Sequence, residues 1–352
     1  MKNLLNNKIV EKRKIWFMVP LIILLVGFIV FMSFSITSMV KGNSVGDGIN
    51  DGFNIGIDFE GGTLLKLKLG EEGAITNFDE NSAKVKAIIE EVGGIKVSYI
   101  QKSDSGALAS IVFKYDALDS AKNDAIVQAI DEAFGGNLQN TDDPSLTYTT
   151  IGSSASSDLI VTAVVSIIVS TILILIYVII RFEFWSAISA VIALIHDVLM
   201  MVTLTVIFRV QINSSFIAAV ITIVSYSINA TIVLFDRVRE NYKLVKPGSD
   251  MMQYNADICN KSIRETFTRN INTTVTTLVA ITVLAIIGDM SIREFALPVI
   301  FGLVAGCYSS MVISPSVFVA LKNKFGKDTK EQYKQAKAAR KAAKHAEVKE
   351  IA

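Results

Sequence analysis

Residues 158–180 read DLIVTAVVSIIVSTILILIYVII, with no charge after Asp158. At 1.5 Å per residue such a run reaches across the hydrocarbon core of a bilayer, which takes about 20 apolar residues. Working outward, five more blocks have comparable character, at about 15–38, 184–208, 214–235, 270–289 and 295–321. The 352-residue chain is 51% hydrophobic, which alone is only suggestive. The clustering into blocks decides the class, a polytopic α-helical membrane protein with six transmembrane helices.

Charge sets the expected orientation. Lys2, Lys8, Lys12, Arg13 and Lys14 precede the first block, opposed by Glu11 alone. Arg237, Arg239, Lys243, Lys246, Lys261, Arg264 and Arg269 follow the fourth, and the tail beyond Leu321 is lysine-rich. Residues 41–157 instead carry eighteen acidic and nine basic side chains. The positive-inside rule then puts both termini and the 236–269 loop in the cytoplasm and the polar stretch outside. The expected organisation is a cytoplasmic N-terminus (1–14), helix 1 (15–40), an extracytoplasmic domain (41–157), helices 2–6 (158–321) and a basic cytoplasmic tail (322–352). Block 1 exceeds the apolar length of a signal peptide and no small-residue cleavage site follows, so it reads as a retained anchor. Cys259 and Cys307 fall in different compartments, and no disulfide is expected.

The outer stretch alternates extended and helical patterns. FNIGIDFEGGTLLKLKL (53–69) reads as a strand, a Gly-Gly turn and a second strand. Val85, Ile88, Ile89 and Val92, then Ile126, Ala129, Ile130 and Phe134, recur at helical spacing. IKVSYIQK and ALASIVFKY are strands joined by SDSG, and SLTYTTIG is the last. The order β-α-β-β-α-β predicts an α+β ferredoxin-like domain. It contains no pattern for a metal, a nucleophile triad or a phosphate, so no cofactor or metal and no enzymatic role are expected.

Polar residues inside the blocks are the candidates for function, because an ionisable group at mid-membrane is costly. His196-Asp197 lie near the middle of the third block. They read either as a pair that fastens helices or as part of an ion path. Thr222, Ser225, Tyr226, Asn229 and Asp236 share one face of the fourth. Asn229 fits an interhelical hydrogen bond as well as a path, whereas Asp236-Arg237 mark the membrane boundary. The fifth block needs to start near Arg269 to reach a spanning length, which suits a snorkelling side chain or a functional one.

Several motifs together resemble the SecF family, the smaller half of the SecD–SecF accessory complex of bacterial protein export. They are GIDFEGGT (56–63, with Gly56, Asp58, Gly61 and Gly62), LIHDV (194–198), SYSINATIVLFDRVREN (225–241), ETFTRNINTTVTT (265–277, with Thr273) and GLVAGCYSS (302–310). The resemblance implies a resistance–nodulation–division type membrane half that pairs with SecD and serves the SecYEG translocon and its translocating preprotein in the lipid of the cytoplasmic membrane. It implies no nucleic-acid partner. It further implies that an ion gradient drives the cycle, with His196, Asp197, Ser225, Asn229 and Arg269 along the path. The family has an aspartate after SIN; here that position is Ala230. Two other readings stay open, half of a small-molecule or lipid exporter of the same superfamily, and an uncoupled scaffold that holds preprotein.

Overall fold

The computed structural model describes residues 9–41, 44–68, 77–103, 110–136, 138–139, 145–244, 251–288 and 290–326. The basic tail beyond 326, Lys2, Lys8, Lys246 and most of the SDSG turn lie outside these residues. The helix α1 (Arg13–Val40) is followed by two short ones, α2 (Val45–Phe53) and α3 (Ile57–Glu60). An α+β unit comes next: β1 (Gly62–Lys68), α4 (Phe78–Gly93), β2 (Val97–Ser103), β3 (Ser110–Tyr115), α5 (Ser120–Ala133) and β4 (Leu146–Ile151). The remainder is helical: α6 (Ser153–Arg181), α7 (Phe184–Ile207), α8 (Ser214–Tyr242), α9 (Met251–Ile287) and α10 (Met290–Tyr308). A π-helical turn (Ser309–Ile313) joins α10 to α11 (Ser314–Phe325). Six of these segments are long and apolar enough to cross a membrane, the last being α10 and α11 joined through the π turn.

The two most apolar helices, α1 and α6, and also α9 are largely exposed. Leu21 and Leu25 on α1, Leu173 and Ile180 on α6 and Ile287 on α9 face away from the protein, as surfaces that meet lipid do. In contrast, α10 is enclosed by α7, α8 and α9. Small residues permit that approach. A Cβ on Gly302 would collide with Ile223, and one on Gly306 would stand 3.2 Å from Ser227.

The sheet is antiparallel throughout, in the order β2-β3-β1-β4. Leu65, Leu67, Ile111, Phe113 and Tyr115 turn to one face and meet Val85 and Ile89 of α4 and Ile126, Val127 and Ile130 of α5. Within this core the Tyr115 hydroxyl donates to Asn123 Oδ1 at 3.0 Å, and burial pushes its ionisation up. The opposite face, with Leu64, Lys66, Val112, Thr147 and Thr149, looks onto a crevice of about 310 Å³ that Asn213 and Glu294 close from the ends of α8 and α10.

Four sequence expectations change. FNIGIDFE is not a strand: Phe53 ends α2, Ile55 makes one parallel bridge to Ile212, and Ile57–Glu60 is a helical turn. A capping box between Ser44 and Asp47 starts α2, which outweighs the β-like pattern that follows. Val92 is exposed, and Val127 fills the core instead. The apolar run of the fourth block ends at 235, yet α8 continues to Tyr242. Likewise α9 begins at Met251, so much of the stretch expected as a loop is an antiparallel helix pair. Arg237–Glu265 at 2.7 Å and Asn241–Ser262 at 2.9 Å hold that pair, and charged residues are good helix formers once outside the apolar slab.

The GIDFEGGT segment clasps the sheet unit to the connection between α7 and α8. Asn54 accepts from Ile212 N at 3.0 Å, Gly56 N donates to Ile212 O at 2.8 Å, and the Asn54 amide donates to Arg209 O at 2.7 Å. Asp58 Oδ2 accepts from Ser214 N at 2.8 Å and so covers a free amide in the first turn of α8. Glu60 pairs with Lys114, which also donates to Ile55 O. A Cβ on Gly56 would stand 3.2 Å from Asn213 Cβ. Gly62 is held at φ +122°, where its Cβ would lie 2.8 Å from Tyr115 O.

Gly62→Ala should therefore destabilise the sheet unit by about 2 kcal/mol or more through strain and collision. Gly94→Ala, at φ +66° with nothing within 4 Å, should cost about 1 kcal/mol. Thermal unfolding of the solubilised variants checks the order, and an equal loss at both positions would contradict the close approach. Asp58→Ala removes a cap worth about 1 kcal/mol and should speed amide exchange at Ser214 about fivefold. Unchanged exchange there would disprove the clasp.

Candidate functional site

Asp197 is fully buried in the middle of α7. Burying a carboxylate is costly unless donors satisfy it, and three helical segments supply them. On α7 itself, His196 Nδ1 lies 2.9 Å from Oδ1. From α8 the Ser227 hydroxyl donates to Oδ2 in a short bond. Ser309, the first residue of the π turn, donates to the same oxygen at 2.7 Å. Inserting one residue into the helical ladder is a frequent device at functional sites, and here it sets Ser309 against the carboxylate.

A second layer surrounds the imidazole. The ring of Tyr308 stacks on that of His196 with centroids 6.2 Å apart, and its hydroxyl donates to Trp16 O of α1 at 2.5 Å. His196 Nε2 and Trp16 Nε1 are both buried and make no hydrogen bond among the described residues. The site thus draws on α1, α7, α8 and the α10–π junction.

The polar stripe of α8 lies elsewhere. Thr222, Ser225 and Asn229 are exposed, facing away from this chain's own bundle. Thr222 and Ser225 satisfy their hydroxyls on carbonyls one turn back, at 2.8 and 3.1 Å. Tyr226 reaches across to α9, donating to Thr273 O at 2.9 Å beside Thr277 Oγ1 at 3.1 Å. The Thr273 hydroxyl in turn donates to Arg269 O at 2.9 Å. The Tyr226–Thr273 and Arg237–Glu265 contacts bracket Arg269. They put its level along the helix axes within about one turn of Asn229. Arg269 is exposed and makes no ion pair among the described residues. Ala230, partly buried, sits beside Asn229.

The predicted residues therefore fall into separate groups. His196 and Asp197 form the sealed cluster, while Ser225, Asn229, Ala230, Arg269 and Thr273 form an outward-facing patch. Asp236, paired with Arg181 at 3.1 Å, and Arg237 belong to the helix ends, and Gly56, Asp58, Gly61 and Gly62 to the clasp. Sequence reasoning missed Ser227, Tyr308 and Ser309. A signal for Ser227 did exist, since it interrupts the apolar ridge Ala219, Ile223, Ser227, Leu234 at helical spacing.

Comparison with known proteins gives a consistent picture. The profile of the protein export membrane protein SecD/SecF family, C-terminal region, matches residues 133–324. A protein translocase subunit SecF from Sebaldella termitidis is 32% identical over 284 residues, covering 80% of this chain and 86% of its own. One from Rickettsia bellii is 34% identical over 276 residues, covering 77% and 84%. The crystal structure of SecDF, a translocon-associated membrane protein from Thermus thermophilus, superposes with a TM-score of 0.69 at 27% identity. That match covers 89% of this chain and 38% of the SecDF chain, so this chain spans well under half of it. On this evidence the chain is a multi-pass bacterial membrane protein that belongs to the SecD/SecF family of protein-export membrane proteins.

Proposed function

We propose that the chain is the SecF subunit of a protein translocase, a gradient-coupled accessory rather than an enzyme. In this reading it pairs with SecD and assists preprotein that emerges from SecYEG. The sheet unit is a ferredoxin-like extracytoplasmic domain; its element order and the strand order β2-β3-β1-β4 support that. The charge distribution supports cytoplasmic termini. Six spans and one small sheet unit, with the likeness to SecF and SecDF, favour this subunit over half of a small-molecule or lipid exporter.

One observation carries the partner. Asn229 and Arg269 stand within membrane-crossing helices and face outward, and neither side chain is bonded among the described residues. A guanidinium and an amide left to lipid are costly, so another polar surface covers them. SecD is the partner whose carboxylates would satisfy Arg269. Because Ala230 cannot hold a proton, the titrating group at this interface comes from SecD, with Arg269 biasing it electrostatically. The sealed His196–Asp197 pair assembles or gates the ion path from inside this subunit.

Ala230 also favours a second reading, a preprotein holder without ion coupling. Export into vesicles with and without an imposed ion gradient separates the two. Arg269→Met should reduce gradient stimulation to the ungradiented level, and stimulation that survives this change refutes the role of Arg269. If stimulation is absent until Ala230→Asp introduces it, the holder reading is correct. Without SecD the chain should be unstable or inactive, and full stimulation of export in vesicles lacking SecD would contradict the pairing.

A further inference from the structure

We infer that His196, Asp197, Ser227 and Ser309 form a proton-binding site within this chain, and that the π turn registers its charge. The inference deepens the export reading above by giving the subunit a titrating centre of its own in place of the carboxylate missing at Ala230.

The arrangement suits a proton rather than a metal cation. Oδ2 already accepts two hydroxyls, and Oδ1 faces an imidazole. Calcium and magnesium take about six or more oxygens. The imidazole supplies a nitrogen instead, 2.9 Å from Oδ1. The groups facing Asp197 are few. Its own helix gives His196; α8 gives Ser227; the α10–π junction gives Tyr308, stacked on the imidazole, and Ser309; α1 gives Trp16 behind Tyr308. Cys307 turns to Thr274 of α9. No lysine or arginine pairs with the carboxylate among the described residues, so no fixed positive charge locks it in the ionised form.

The proton balance follows from the atoms. With His196 Nδ1–H donating to Oδ1 of the carboxylate, the pair carries one negative charge. A proton added at Nε2, which has no partner among the described residues, makes the imidazole a cation. Passing the Nδ1 proton to Oδ1 then leaves a neutral imidazole protonated at Nε2 and a carboxylic acid donating to Nδ1. One proton has entered, one has moved within the pair, and the net charge has gone from −1 to zero.

Ser309 is placed to sense that change. The ionised Oδ2 attracts both hydroxyls, whereas the oxygen of the neutral acid is a weaker acceptor for two donors. Ser309 opens the π turn and Ser227 belongs to α8, so weakening these bonds loosens the junction of α10 and α11 against α7 and α8.

The test is an infrared pH titration of the full chain with SecD in lipid vesicles, in potassium and then sodium salts. The signal is the carboxylic-acid C=O band that appears as pH falls. We expect Asp197→Asn to abolish one such band. Ser309→Ala and Ser227→Ala, which each remove a single hydroxyl, should keep the band but move its midpoint to higher pH, about tenfold or more in proton affinity. His196→Gln should alter the band's frequency and midpoint. The inference is overturned if Asp197→Asn leaves every band in place, if Ser309→Ala and Ser227→Ala leave the midpoint unmoved, or if sodium displaces the band at fixed pH. The readout needs no export, so a lost gradient response with this band intact counts against the coupling reading and not against the site.

Discussion

The hydrogen bonds onto the Asp197 carboxylate tie the membrane half together. A fully buried carboxylate has to be matched by donors wherever the helices pack, and here the donors come from α8 and from the junction of α10 and α11. The α10 register is therefore not free. The π turn places Ser309 against Oδ2, and the small residues Gly302 and Gly306 let α10 pack closely on α8, whose Ser227 donates to the same oxygen. Apolar packing alone would tolerate α10 turned or shifted by a residue. The buried polar cluster would not, because breaking one partner leaves the others unsatisfied in a medium without water.

The sheet unit is bound to this bundle by short backbone contacts and a cap rather than by a broad apolar interface. Ile212 exchanges hydrogen bonds with Asn54 and Gly56, and Asp58 covers the first turn of α8. Arg209 adds bonds to the carbonyls of Asp51 and Gly52 and lies 3.9 Å from the Phe34 ring of α1. The sheet is thereby fixed to the end of the same helix that carries Ser227. Its bare face, with Lys66, Thr147 and Thr149, stays over the crevice instead of collapsing onto it.

The membrane class was legible because hydrophobic length is a direct physical requirement of a bilayer and needs no tertiary information. The core pattern of the sheet unit was legible where periodicity was strong, as at Val85, Ile89, Ile126 and Ile130. It failed at Val92, which lies off the buried ridge Ser82, Val85, Ile89 and Gly93, and at FNIGIDFE, where a capping box and contacts to Ile212 override the local alternation. Hydropathy also stopped α8 seven residues early, since the apolar run ends with the slab and the helix does not. Asp197 stood out as a carboxylate in an apolar run. Ser227 and Ser309 did not, because membrane helices commonly satisfy a serine on their own backbone, and only the fold shows which serines bond across helices.

The two polar features of α8 are geometrically linked. Ser227 and Asn229 are two residues apart, which is about 200° of rotation and about 3 Å of rise. They occupy nearly the same depth on opposite faces, one bonded to the sealed carboxylate and the other exposed. A rigid helix cannot turn or slide to suit one face without carrying the other. The Tyr226 bond to α9 adds a second constraint, because Arg269 lies on the helix that this tyrosine holds. The position of α8 is therefore constrained both by the Asp197 cluster and by α9. Ala230, partly buried beside Asn229, has no titrating group, so the ionisable side chain that α8 contacts in mid-helix is Asp197 on the inner face.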